Sequence, residues 1–232
     1  MCIRDSLKRV SWSYIDSLTQ ELHFAGFVQE EWQPIKPLTF TASYRLDRHP
    51  LLDNGKPGYA HSPRVALVWV PAEGHALRAS FATAFRAPTF LESYTNLATP
   101  IPGVNGASVL TQGERALRPE RLLSFELGYR GEWVRYGLAW DVSLYQNYVN
   151  DLIVLSAVNP LPPDQAYDPA SGSYLLGRSV FQNDPVGYVA RGAELGLSWS
   201  ATAGLDLRLT GALQQVAVNG AQTCLLYTSR CV

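Results

Sequence analysis

Four histidines, His23, His49, His61 and His75, are the side chains best suited to hold a metal or move a proton near neutral pH. They are scattered, with none at the i, i+4 spacing that puts two imidazoles on one helix face. The sequence therefore places them at surface or loop positions and predicts no metal centre. Asp164 and Asp168 flank Tyr167 in a segment read below as an outer loop, where carboxylate oxygens could meet calcium or a ferric chelate. A solvated turn is the plainer reading. No G-x-S-x-G nucleophile elbow, phosphate-cradling glycine loop or clustered carboxylate pair stands out. The expectation is a protein that is not an enzyme, with no catalytic, cofactor or metal residues and with its ligand-binding residues unassigned.

Composition narrows the class. Among 232 residues, 47% are hydrophobic, 17% charged and 11% aromatic, which is charge-poor and aromatic-rich for a soluble domain. No run approaches the roughly 18 apolar residues of a membrane helix. A net charge of -1 offers no clustered basic face, so nucleic acid is not an expected partner. If the chain meets a membrane, it does so as strands.

Period-two alternation runs through the chain. Leu38, Phe40, Ala42, Tyr44 and Leu46 oppose Thr39, Thr41, Ser43, Arg45 and Asp47; Leu123, Phe125, Leu127 and Tyr129 oppose Ser124, Glu126, Gly128 and Arg130. Val134, Tyr136, Leu138, Trp140, Val142 and Leu144 form an apolar face against Arg135, Gly137, Ala139, Asp141, Ser143 and Tyr145, and Leu205 to Thr210 repeats the pattern. Leu22 to Trp32 alternates except at Glu30, Pro63 to Val70 is apolar on both sides, and Lys8 to Tyr14 reads as a first strand. Two stretches, Val134 to Leu155 and about Leu176 to Ser200, exceed the roughly 10 residues of a tilted crossing and are expected to run on beyond the membrane.

The connections alternate in length. Trp32 to Pro37, Pro71 to Gly74, Gly131 to Trp133 and Ala201 to Gly204 are short; His49 to Ser62, Ala87 to Glu120 and Ser156 to Leu175 are long. Short turns at one end and long loops at the other are the signature of a transmembrane β-barrel. Trp32, Trp69, Trp133 and Trp199 all fall beside the short turns, as an interfacial aromatic girdle would. Hydrocarbon leaves no unpaired amide tolerable, so such strands imply a closed sheet. The fold class expected is all-β: an antiparallel transmembrane β-barrel, partial, with about nine strands of a larger barrel. Arg45, Asp47, Arg78, Glu126, Arg130, Asp141 and Glu194 then face a polar lumen, where buried charges need partners. Arg86, where a strand leaves the wall, could touch a ligand, but reads better as a structural pairing residue.

Cys2, Cys224 and Cys231 crowd the two ends. Met1 to Ser6 can be read from DNA whose reverse complement, in a shifted frame, encodes Cys224 to Ser229. Arg230 to Val232 then fit the forward strand again. This resembles adapter sequence, so residues 1–6 and 224–232 are expected to be adapter-derived and 7–223 native. That native part has no cysteine, which suits an exported protein without a disulfide framework.

Several segments, in order, resemble the barrel domain of TonB-dependent outer-membrane receptors. Gln29-Glu30-Glu31-Trp32 with Leu38 to Asp47 resembles that family's hairpin, and Ser62-Pro63-Arg64 opens the next strand. Leu77 to Pro88 is similar to its strand ending in Phe-Arg-Ala-Pro, followed by Leu91-Glu92. Leu117-Arg118-Pro119-Glu120 and Phe125-Glu126-Leu127-Gly128, then Tyr145 to Ile153 with its Asp-Leu-Ile end, then Asn183 and Gly192-Ala193-Glu194-Leu195, continue the match over about residues 21 to 218. The resemblance implies a Gram-negative outer-membrane receptor for TonB-energised uptake of a scarce ligand, such as an iron–siderophore or cobalamin, without a catalytic cofactor. Its partners would be outer-membrane lipid, the small-molecule ligand and the TonB complex. The plug, the TonB-contacting segment and a closing aromatic strand that it also implies are not recognisable in these residues. The rivals are a passive porin-like barrel and a soluble carbohydrate-binding β-sandwich.

Overall fold

A strand with one apolar and one polar face is stable in a bilayer only when its amides pair with neighbours on both sides. A computed structural model shows that arrangement. It describes residues 2–10, 19–53, 55–169, 172–202, 204–218 and 221–227, with side chains from residue 21 to residue 218. In chain order the elements are β1 (Cys2–Val10), β2 (Thr19–Ile35), β3 (Leu38–Asp53), β4 (Lys56–Ala72), β5 (His75–Arg86), α1 (Phe90–Tyr94), β6 (Asn96–Pro100), β7 (Ala107–Gln112), β8 (Glu120–Trp133) and β9 (Leu138–Asn150). There follow β10 (Ile153–Leu155), β11 (Asn159–Pro160), β12 (Tyr167–Asp168), β13 (Ser173–Asn183), β14 (Tyr188–Thr202), β15 (Leu205–Val218) and β16 (Ala221–Tyr227).

Ten strands form one antiparallel wall in the order β1-β2-β3-β4-β5-β8-β9-β14-β15-β16. Nine were expected, and the tenth is β16. The expected first strand shifts to Cys2–Val10; Tyr14 lies outside the described residues, as do Arg230, Cys231 and Val232. Residues 2–6 and 224–227, set aside on sequence grounds, here lie in the two edge strands. An exposed sheet edge offers unpaired amides to whatever chain adjoins it, so such pairing does not depend on side chains.

The register puts the two faces where the alternation predicts. Leu77, Ala79 and Phe81 of β5 stand opposite Tyr129, Leu127 and Phe125 of β8, and these in turn oppose Val142, Leu144 and Gln146 of β9. This face is outward and exposed: Leu127 keeps 60% of its surface and Leu213 56%. The buried hydrophobic residues, Leu51, Ala60, Ala107, Leu117, Ile153 and Leu175, gather instead at the loop end. Among the described residues the wall thus has no apolar interior, and its apolar surface is offered to lipid. Trp32, Trp69, Trp133 and Trp199 are all outward and exposed beside the short turns. Trp140 joins them, its ring centroid 5.1 Å from that of Trp133.

Four expected boundaries move. Val134 and Tyr136 do not extend β9: Val134–Tyr136 is a 3-10 turn closed by Gly137 at φ 60°, a left-handed conformation that glycine adopts without strain. Alternation continued across it because a turn can carry apolar and polar residues in phase. The stretch 49–62 is largely not a loop; β3 and β4 run up to Asp53 and Lys56 as one long hairpin. The expected Val134 to Leu155 strand breaks after Asn150 at Asp151, whose φ is 59°. The returning stretch breaks between Asn183 and Tyr188. Above those breaks the chain leaves the wall. There β10-β13-β7-β6, with β11 and β12 on β13, make a second sheet in which β13 and β7 run parallel.

Outward and lumen positions should respond differently to charge. Leu127→Arg, near mid-wall on the lipid face, should lower stability by about 2–4 kcal/mol, whereas Ser124→Arg on the lumen face should cost less. Denaturant unfolding of the intact protein in lipid vesicles measures both; equal costs would contradict the assigned faces.

Candidate functional site

Lumen-facing charges pair across the wall. Arg78 on β5 donates to both carboxylate oxygens of Asp141 on β9, at 2.8 and 2.9 Å, to Ser143 Oγ at 2.5 Å, and to Glu126 on β8 at 3.4 Å. To reach β9 the guanidinium crosses β8 over Gly128, where a Cβ would collide with it. Arg130 stands directly opposite Asp141, Arg45 pairs with Asp47 at 2.6 Å, and Glu194 lies opposite Ser143. All seven charges expected inside the lumen are on that face. Arg86 joins them at the top.

The outer end holds the densest network. Arg86, last residue of β5, donates to Glu120 at 2.5 and 2.6 Å and to Glu92 at 2.9 and 3.0 Å. Glu92, third residue of α1, is fixed by the helix N-terminus: Thr89 Oγ1 accepts from the Glu92 amide, and the Glu92 carboxylate accepts from the Thr89 amide at 2.7 Å, a reciprocal capping box. Glu120 also accepts the Ile153 amide at 2.8 Å. Asn183 accepts from the Arg118 amide and donates to the carbonyls of Arg118 and Asp151, while the Arg118 guanidinium pairs with Asp151 at 2.7 Å. Leu117 is fully buried beside them. The Phe-Arg-Ala-Pro, Leu-Glu, Leu-Arg-Pro-Glu, Asp-Leu-Ile and Asn segments singled out in the sequence therefore meet in one cluster, which clamps the feet of both long excursions.

Both glutamates lie above the roughly ten residues that cover the bilayer. Hydrogen bonds from Arg86 hold the Glu120 carboxyl below its ordinary range against a smaller effect of burial. Burial alone would raise Glu92, but the bonds from Arg86 and Thr89 outweigh it and leave it lowered as well. Arg86 is correspondingly raised, first by Glu120 and then by Glu92.

The excursions themselves interlock. The Tyr174 amide donates to the Gly106 carbonyl at 2.7 Å, and β13 follows β7 from Tyr174–Ala107 to Val180–Gln112. Asp164 lies in a turn and Asp168 in β12 opposite Ser173, with Tyr167 packed on Tyr174 at 5.3 Å. Among the described residues the one group of three potential metal ligands is Glu21, His23 and His49. His23 and His49 are thus not scattered. Neighbouring strands bring together residues that sequence spacing keeps apart, and only strand register could have revealed it. His61 contacts Tyr44, and His75 bonds Tyr129 at 2.9 Å.

The family described as TonB dependent receptor-like, beta-barrel matches residues 6–223. The vitamin B12 transporter BtuB of Vibrio vulnificus is 28% identical over 146 residues, 62% of this chain and 20% of that protein. The siderophore receptor PirA of Acinetobacter baumannii superposes with a TM-score of 0.64 at 18% identity, over 86% of this chain and 28% of that one. A mutant of the ferric enterobactin receptor PfeA of Pseudomonas aeruginosa gives 0.63 at 22% identity, over 86% and 27%. The chain therefore spans about a fifth of the curated relative it matches and little more than a quarter of these solved chains.

Removing the shared cation should release the excursions. Arg86→Met leaves Glu92 and Glu120 facing each other unpaired, each lost charged bond being worth about 1.5–3 kcal/mol. Limited proteolysis should then cut residues 87–119 on the order of tenfold faster, with the wall intact. Acid should act alike. Both folded-state pKa values are lowered, so their stabilisation is complete above the ordinary glutamate value of about 4.3 and is lost as pH falls through the lowered values. Unchanged cleavage in the variant would refute the clamp.

Proposed function

Since the chain belongs to the TonB-dependent receptor-like β-barrel family, whose barrels lie in the outer membrane of Gram-negative bacteria, we propose that it forms part of the wall and two outer loops of a receptor for TonB-energised uptake. The ligand class is a scarce chelate such as an iron–siderophore or cobalamin, as in the proteins it resembles. One observation supports this most: the two longest excursions are clamped at their feet by the Arg86 network and joined through β7 and β13 into one outer sheet. Loops held rigid above a scaffold are suited to binding. The lumen charges, of which Arg78 pairs with Asp141 and Glu126 and Arg45 with Asp47, suit a polar interior in which a plug is seated. We read the protein as a receptor and not an enzyme. The plug and the contact with TonB belong, in this reading, to parts of the protein other than these residues.

We also read residues 1–6 and 224–232 as adapter-derived. The reverse-complement relation between them and the family match over 6–223 support this, and the genomic sequence of the locus decides it.

Uptake tests the main reading. Cells relying on the intact protein should accumulate labelled cobalamin or one of a panel of ferric siderophores, and a protonophore or loss of TonB should abolish accumulation. Uptake that persists without either would make the protein a passive barrel.

A further inference from the structure

Glu21 and His23 are two apart on β2, so both side chains leave the same face. The register that sets Ala25 against Asp47 and Phe24 against Arg48 carries His23 opposite His49 on the lumen side, near the outer end. The rings of His23 and His49 meet edge to face with centroids 4.3 Å apart, and His23 Nε2 lies 3.1 Å from Glu21 Oε2. One donor atom from each of the three residues lies within 4.8 Å of the others. Glu21 is 4% exposed and His49 9%. The second carboxylate oxygen of Glu21, Oε1, is buried and has no hydrogen-bond partner. A buried carboxylate oxygen ordinarily finds a donor, and one that does not needs a reason.

Among the described residues His23 is the one ion-pair partner of Glu21. Tyr94 in α1 feels the same carboxylate: burial first, and then the negative charge of Glu21, push its phenol up.

We propose that Glu21, His23 and His49 form a site for a divalent transition-metal ion of the zinc class. Two imidazoles and one carboxylate suit zinc, copper or nickel, whereas calcium and magnesium require oxygen donors throughout. Three protein ligands leave a fourth position for water or for a donor from an incoming molecule. A tetrahedral ion with bonds of about 2.0–2.1 Å separates its ligands by roughly 3.3 Å, so the three donors must close from their present spacing, and His49 must give up the bond that its Nδ1 accepts from the Leu51 amide at 3.2 Å in exchange for the ion. The buried Oε1 then gains the partner it lacks. The site does not depend on TonB-energised uptake: it should bind metal in detergent with no energy source, so either reading can fail alone.

The test uses the intact outer-membrane protein, stripped of metal with a chelator and titrated with zinc. His23→Ala with His49→Ala should remove one equivalent of bound zinc, and Glu21→Gln should weaken that equivalent on the order of tenfold or more. His61→Ala, which alters a histidine on the outward face, should leave it unchanged. X-ray absorption of the zinc-loaded wild type, which needs no variant to fold, should show two imidazole ligands that are missing from the double variant. A wild type that binds no zinc, a double variant with undiminished stoichiometry, or a zinc spectrum without paired imidazoles would each overturn the proposal.

Discussion

The whole architecture rests on one requirement: a peptide amide in hydrocarbon must be paired, and a strand can pair its amides only with other strands. The ten-stranded ladder satisfies it for the eight strands between the edge strands Cys2–Val10 and Ala221–Tyr227. Once the amides are used sideways, the side chains can go only up or down, and the two faces must meet different media. Leu127, Leu144, Leu195 and Leu213 therefore stand exposed where a soluble protein would bury them. Most charges of the wall take the other face, Glu30 and Arg191 being exceptions, and there Arg78 pairs with Glu126 and Asp141 and Arg45 with Asp47. Arg78 shows the consequence: it reaches Asp141 across an intervening strand because Gly128 leaves the backbone bare beneath it.

Where the ladder rises out of the bilayer the requirement lapses, and with it the force that keeps the chain straight. β9 ends at Asp151 in a left-handed conformation, and β14 begins only at Tyr188. Something else must fix the feet of the excursions. The Arg86 cluster does so with charge-assisted bonds over a small apolar floor of Leu117 and Ile153, the combination of burial and charge that a water-exposed rim permits. Beyond that clamp the excursions pair with each other through β7 and β13, so what reads as two long loops is one secondary sheet.

Much of this could be read directly from residue order. Faces followed from alternation, the short-turn end from tryptophans and prolines, and the lumen charges from parity alone. The clustered motif residues could be named but not joined: nothing in Arg86, Glu92, Glu120 or Asn183 says that residues as far as 65 apart in the chain will share hydrogen bonds. Strand ends were misplaced wherever periodicity continued through a turn, as at Val134–Tyr136, or where a hairpin kept its ladder through residues of weak alternation, as at 49–53. Periodicity reports which face a residue takes. It carries no signal for height, and height decides which residues meet.

Height is set at the turns, by a shift of one residue. On β2 and β3 the apolar positions are both even-numbered, so an even residue must face an even one, as Trp32 faces Phe40. A direct two-residue turn from Ile35 to Leu38 pairs odd with even and would set His49 against Phe24, sending one strand's polar face into lipid. The irregularity between Trp32 and Ile35 supplies the missing residue, and it includes Pro34, which has no amide to lose from the ladder. The same shift occurs between Trp69 and Ala72 and between Ser200 and Thr202, where the apolar positions on both strands are odd. It is absent between β8 and β9, whose apolar positions are odd and even and whose turn holds four residues. The bulge beside Pro34 thus does two things at once: it keeps Arg45 and Asp47 in the lumen, and it brings His49 level with His23.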